Sequence, residues 1–210
     1  MKKFNQLVFL ACGLLLTLAA NSVFAQEEKS VQINKKPIDD FAGQVAEKVR
    51  NRKVDLAAPF SIQAEVFLDV NGQFDSRKSK YVKSEGDAEM IVVAKDLVEA
   101  IGDSNIFIYL QKLGIKKANL TFSQDETTVR CSVISEFPTA EKAKATASGL
   151  NAIFGMAKLQ NKSTIVKVLF GNWNIKADKN TLSMSFASSN LEIHDYLADA
   201  LKQLMEKTTR

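Results

Sequence analysis

Residues 68–86 read LDVNGQFDSRKSKYVKSEG, and the fold turns on whether this stretch is a metal loop or a hairpin. A calcium loop of the EF-hand type places oxygen ligands at alternate positions, with Gly at the sixth and Glu at the twelfth. Counted from Asp69, the sixth residue is Phe74 and the twelfth is Lys80, so the loop fails at both. Upstream, Ile62, Ala64, Val66, Leu68 and Val70 recur every second residue, the period of a half-buried strand. Asn71-Gly72 then offers two residues that tolerate positive φ, as a type I′ hairpin turn requires. The stretch reads as a strand, a turn at Asn71-Gly72, a returning strand from Phe74 to Val82 and a break at Gly86.

On either side the period becomes helical. From Ala88 the apolar residues Ile91, Ala94, Leu97, Val98 and Ile101 share one helix face. Gly102 is expected to stop that helix and Ser104 to cap another carrying Phe107, Leu110 and Leu113. Before the hairpin, a polar lead-in over 26–36 runs into Pro37, which can open a helix without losing a hydrogen bond. Ile38, Phe41, Val45 and Val49 form its apolar face, and it ends near Asn51.

The second half contains two similar stretches. Residues 117–135 read KANLTFSQDETTVRCSVIS and residues 172–188 read NWNIKADKNTLSMSFAS. Asp125 aligns with Asp178, Val129 with Leu182, Cys131 with Met184, Val133 with Phe186 and Ser135 with Ser188. Each is a hairpin preceded by a short helix (104–113, about 163–170) and followed by a longer one (139–160, 190–207). Pro138, Thr139 and Glu141 open the first long helix, whose stripe is Ala143, Ala147, Leu150, Phe154 and Leu159. Ser188-Ser189-Asn190 can cap the second. Two-residue alternation is common among strands, so duplication of an αββα unit stays open. The expected class is α+β: antiparallel β-hairpins packed against helices, a ββα unit followed by two αββα units.

Composition narrows the compartment and the partners. Lys2 and Lys3, an apolar run from Leu7 to Ala20 and Val23-Phe24-Ala25 make residues 1–25 a signal peptide. That run is shorter than the ~20 residues of a spanning helix, so cleavage before Gln26 is expected, retention as an anchor being the other reading. Residues 26–58 follow as lead-in and helix, 59–103 as a hairpin–helix domain and 104–210 as an α+β domain. A bacterial periplasmic or secreted location follows. The whole chain carries 28 basic and 24 acidic residues; without Lys2 and Lys3 the excess is two, too small for a nucleic-acid footprint. Past the signal, Cys131 is the one cysteine, so no internal disulfide staples the fold.

No catalytic constellation emerges. His194 is the single histidine, which rules out a zinc site with two imidazoles. It stands beside Asp195 at the expected start of the last helix, the place of a surface or capping residue. Cys131 shares a strand face with Val129 and Val133 and reads as a small buried hydrophobe. Trp173 opens a strand and reads as core. Asp125, Glu136 and Asp178 are turn or strand-end acids, and no phosphate-cradling glycine motif is present. No enzyme activity, cofactor or metal site is expected.

The stretch 59–101, PFSIQAEVFLDVNGQFDSRKSKYVKSEGDAEMIVVAKDLVEAI, resembles the C-terminal domain of the TonB family of periplasmic proteins. Val66, Asn71-Gly72, Val82, Ser84, Gly86 and Ala100 carry the resemblance, in about a fifth of the chain. It implies docking to a protein by strand addition. Two features of the family are missing: a Pro-rich spacer and a histidine in the N-terminal apolar helix, so the coupling to a proton motor is not implied. The expected function is a non-catalytic exported module that binds a protein partner of the cell envelope through a sheet edge. Arg77, Lys78, Lys80 and Lys83 are the expected contact residues, on an edge strand that lysines protect from chance pairing. The alternative is a carrier of a small apolar ligand or lipid, with a pocket between helices 139–160 and 190–207 and their sheet. No stable membrane insertion is expected after signal cleavage.

Overall fold

A computed structural model describes residues 34, 36–69, 73–105, 107–112, 114–160 and 171–190. The expected signal peptide, the Asn71-Gly72 turn, the helix near 163–170, His194 and the body of the last helix lie outside these residues.

Helix α1 spans Lys36–Arg50 and buries the expected Ile38, Phe41, Val45 and Val49. Strand β1 follows at Phe60–Phe67, with Phe60, Ile62, Ala64 and Val66 all turned inward, as a period of two demands. The connection to β2 is longer than a tight hairpin. Leu68 bridges Phe74 between two backbone hydrogen bonds, Asp69 N–H to Gln73 O (2.8 Å) and Asp75 N–H to Phe67 O (2.9 Å), so the chain returns at Phe74 as expected; a turn built on Asp75 then covers residues 76–78. Asp75 accepts from the N–H groups of Lys78 (3.1 Å) and Ser79 (2.9 Å) through its carbonyl and of Arg77 (3.2 Å) through its carboxylate. This local network interrupts the returning strand expected over 74–82. Strand β2 is Lys80–Gly86.

Helix α2, Ala88–Asp103, starts where the Asp87 carboxylate accepts from the Met90 N–H at 2.9 Å. Ser104 does not open the next helix as expected; it closes this one. Its N–H donates to the carbonyls of Ala100 and Ile101, its hydroxyl donates to Ile101 O (2.6 Å), and Asn105 follows at φ 64°. Gly102 accordingly remains within the helix. Helix α3, Phe107–Lys112, leads to strands β3 (Lys117–Gln124) and β4 (Thr128–Glu136). Helix α4, Ala140–Gln160, begins as expected, with Thr139 Oγ1 accepting from the Lys142 N–H. Of its expected stripe, Ala143 and Ala147 are buried and Leu150 and Phe154 half-buried, but Leu159 is 85% exposed. Strands β5 (Trp173–Asp178) and β6 (Thr181–Ser189) complete the described elements.

All six strands form one antiparallel sheet, in the order β2-β1-β3-β4-β6-β5. The β1–β3 ladder runs from Phe60↔Gln124 to Phe67↔Lys117, so the sheet continues across the expected division at residue 103. The class is α+β, with helices packed on the sheet, as expected. The two similar stretches adjoin through β4 and β6. The offset that aligns Asp125 with Asp178 aligns Ser132 with Ser185, and these two are ladder partners. A local twofold through that pair exchanges β4 with β6 and β3 with β5.

One face of the sheet holds the core. Residues from β1, β3 and β4 meet α1 and α2, with Val66, Met90, Val93 and Ala94 fully enclosed. A second cluster joins Ile175, Leu182 and Met184 to Ala143 and Ala147 of α4 and to Ile115 and Phe137. Trp173 is half-buried and touches both clusters, edge-on to Phe154 (6.1 Å) and tilted against Phe186 (5.6 Å). Cys131 is buried opposite Phe122 and Phe186, as its strand position implied.

Candidate functional site: an exposed sheet edge

Strand β2 is the last strand on its side of the sheet, and six of its seven residues are exposed. Its inward anchor is Tyr81. The phenol donates to Lys95 O at 3.1 Å, and the Lys95 ammonium lies 4.9 Å from the ring centre. Burial first, then the nearby Glu99 and Asp96, push the phenol pKa above its ordinary value. The ladder with β1 slips between Gln63 and Ala64: Gln63 pairs with Lys83 and Ala64 with Tyr81. Val82 is the extra residue of this bulge, and it is 45% exposed. Bulges of this kind bend an edge strand and re-aim its side chains.

The four expected contact residues are divided by this geometry. Lys80 and Lys83 stand on β2, whereas Arg77 and Lys78 belong to the turn before it. Lys80 and Lys83 pair with ladder positions Glu65 and Gln63 on the open face of the sheet. Three of the four meet carboxylates: Lys78 meets Asp75 (2.9 Å), Lys80 meets Glu65 (3.4 Å) and Lys83 meets Glu85 (2.9 Å). Lys117 approaches the other oxygen of Glu65 at 3.4 Å. Desolvation alone would raise the Glu65 pKa, but Lys117 and Lys80 together hold it below the ordinary value. Asp75 is likewise held low, chiefly by the Lys78 ammonium. The cluster is therefore largely neutralised within its own surface. Ser79 sits outside β2; its N–H donates to Asp75 O, and its hydroxyl accepts from the Phe67 N–H at 2.9 Å. It is part of the turn and presents no outward donor to a partner.

The remaining candidates have structural roles. Asp125 Oδ1 accepts from the N–H groups of Thr127 and Thr128, both at 2.9 Å, and Oδ2 accepts from the Arg130 guanidinium. Arg130, then Thr127, holds the Asp125 carboxyl well below the usual range. Asn190 ties the end of β6 to the same turn, its N–H donating to Thr127 O at 2.8 Å and its amide to Asp125 O at 3.0 Å. Glu136 and Asp178 both pair with Thr181, from either side, on the open face of the sheet and exposed to solvent. Two strand spacings separate them, roughly 9.5 Å. Among the described residues, no three His, Cys, Asp or Glu side chains gather to hold a metal, and no helix is long and apolar enough to cross a membrane.

A concave feature lies where helix 139–160 meets the sheet, one side of the pocket expected for the carrier alternative. Helix α4 lies over β5, and a cleft of about 400 Å³ opens between them. Ala140, Lys144, Ala147, Ser148 and Asn151 line one side, and Ile175, Lys176, Ala177 and Lys179 the other. Asn151 is pinned there by donating to Ile175 O at 3.1 Å. No signal in the linear order of residues joins Lys144 to Lys176 and Lys179. Compared with protein-family models, curated proteins and solved structures, the chain finds no match in any of the three.

Proposed function

We propose that the chain is an exported, non-catalytic binding module of the bacterial cell envelope that takes up an extended segment of a protein partner along β2. The observation that carries this reading is the position of β2: an edge strand, exposed along its length, backed by a buried core and a single inward anchor, Tyr81. Added strands gain affinity from main-chain hydrogen bonds that such an edge leaves available, and specificity from pockets for alternate side chains. The resemblance of residues 59–101 to the TonB C-terminal domain points to the same use. Because Lys78, Lys80 and Lys83 already face carboxylates, the lysines act here mainly to deter chance pairing, and the main chain supplies most of the attraction. The cleft beside β5 carries three lysines in its lining, which does not favour the apolar-ligand carrier.

A photo-crosslinking residue at Val82, compared with one at Val92 on the exposed side of α2, tests the proposal in the host. Adducts are expected from Val82 and not from Val92. In a second arm, Val82→Pro in a chain carrying the crosslinker at Lys83 should abolish the adduct with little change in melting temperature, since the bulged residue stands outside the β1–β2 register. Equal adducts from Val82 and Val92, or adducts that survive Val82→Pro, would refute edge docking.

A further inference from the structure

We propose that the cleft between α4 and β5 is a binding site for a multivalent oxyanion, of the phosphate or pyrophosphate class. Positions 140, 144, 147, 148 and 151 fall on one stripe of α4, and the residues there are small or polar: Ala140, Lys144, Ala147, Ser148 and Asn151. The two alanines leave the space that makes the cleft, and Lys144 stands between them. On the opposite wall, Lys176 lies in the edge strand β5, and Lys179 follows it in the β5–β6 turn. Lys179 has a left-handed backbone, φ 49°. Three ammonium-bearing side chains thus line one concavity, and no acidic side chain lines it.

The absence of acid distinguishes this place from an ordinary solvated face: the charged side chains in its lining are all lysines. Among the described residues Lys144, Lys176 and Lys179 make no ion pair, a condition shared by Lys53, Lys95, Lys112, Lys116, Lys142 and Lys158, but these three line one concavity. Ser148 adds a hydroxyl donor on the helix wall, and Asn151 is already held in place through its amide. Lysines act as adaptable point charges toward phosphate, which matches a site open on one side. The oxyanion could be a free phosphate compound or the headgroup of an anionic lipid, and the chemistry of recognition is the same.

Two probes separate these sources. Amide NMR shifts of the whole protein are followed during titration with sodium pyrophosphate at about 10 mM salt, where the Debye length is ~30 Å. Co-sedimentation is measured in parallel with vesicles of phosphatidylglycerol and of phosphatidylcholine. Shifts centred on residues 140–151 and 175–179 are expected with pyrophosphate, weakening at 150 mM salt. Retention by phosphatidylglycerol vesicles alone would assign the site to a lipid headgroup. The triple variant Lys144→Gln, Lys176→Gln, Lys179→Gln should lose at least about tenfold in affinity, with an unchanged melting temperature. Ser148→Phe keeps all three charges and fills the cleft, and should lose binding too. Absence of binding to both probes, or wild-type affinity in either variant, would overturn the proposal; wild-type affinity in Ser148→Phe would show diffuse surface charge instead of a site.

Discussion

Gly86 joins β2 to α2, and replacing it with alanine should be among the most damaging single-methyl changes in this protein. Its φ is +103°, a conformation that residues with a Cβ rarely adopt. A Cβ at this position would lie 2.7 Å from Phe60 Cα, 3.1 Å from Pro59 C and closer still to Pro59 O. These are backbone atoms and cannot rotate away. Phe60 is held in register with Gln124 on its other side, and Pro59 O accepts from the Asp87 N–H (3.0 Å), the residue that caps α2. Backbone strain costs ~1–3 kcal/mol. Overpacking against fixed atoms adds ~1–3 kcal/mol. Loss of the Asp87–Pro59 hydrogen bond adds ~0.5–1.5 kcal/mol. The expected destabilisation of Gly86→Ala is therefore roughly 2.5–7.5 kcal/mol. Gly114 is the internal control. Its φ is +89°, but a Cβ there would meet nothing within 4 Å, so Gly114→Ala carries the strain alone, ~1–3 kcal/mol. Urea unfolding followed by fluorescence of the single tryptophan, Trp173, and by circular dichroism gives both values. With m of ~2 kcal/mol/M, the two midpoints should differ by about 1–2 M. Midpoints for the two alanine variants within about 0.3 M of each other would refute the clash argument and leave only the φ argument standing.

Two further outcomes follow from the charge and hydrogen-bond pattern. Tyr81→Phe removes the hydroxyl that donates to Lys95 O and should cost ~0.5–1.5 kcal/mol in the same urea assay. Because burial raises the Tyr81 pKa in the folded state, its contribution to stability is intact below the unfolded value of about 10 and declines as pH rises past it. Tyr81→Phe should lack that alkaline decline, and identical alkaline limbs in the two proteins would contradict the assignment. Asp125 is the opposite case. Its folded pKa is depressed by Arg130 and the turn N–H groups, so its contribution is present above the unfolded value near 3.8 and is lost as pH falls below it. Asp125→Asn keeps the turn acceptor but not the charge, and its melting temperature should converge on that of wild type between pH 5 and pH 2; a constant gap would count against the ion pair.

Most elements and their inner faces are legible in the linear order of residues. Alternation at Ile62, Ala64 and Val66 named the buried side of β1, and the 3.6 period at Phe41, Val45 and Val49 named that of α1, because burial on one face leaves its period in the order of residues. Cys131 was placed in the core for the same reason, whereas Trp173, read as core from its place at the start of a strand, is half-buried against both clusters. Local hydrogen bonding already defeated the reading at Asp75 and Ser104, where polar side chains and N–H groups re-route the chain over distances that a hydrophobic pattern does not record. The partners of each face were decided only in the tertiary structure. Period two says that β1 has an inner side; it does not say that β1 lies between β2 and β3, or that β4 pairs with β6 through Ser132 and Ser185. Nor does it leave β2 at the rim, with Lys78, Lys80 and Lys83 matched by carboxylates contributed from the turn, β1 and β2 itself. Lys144, Lys176 and Lys179 meet because α4 packs on the hairpin that follows it, and helix–sheet packing is chosen by the fit of whole faces, a property that belongs to the assembled core and to no single segment.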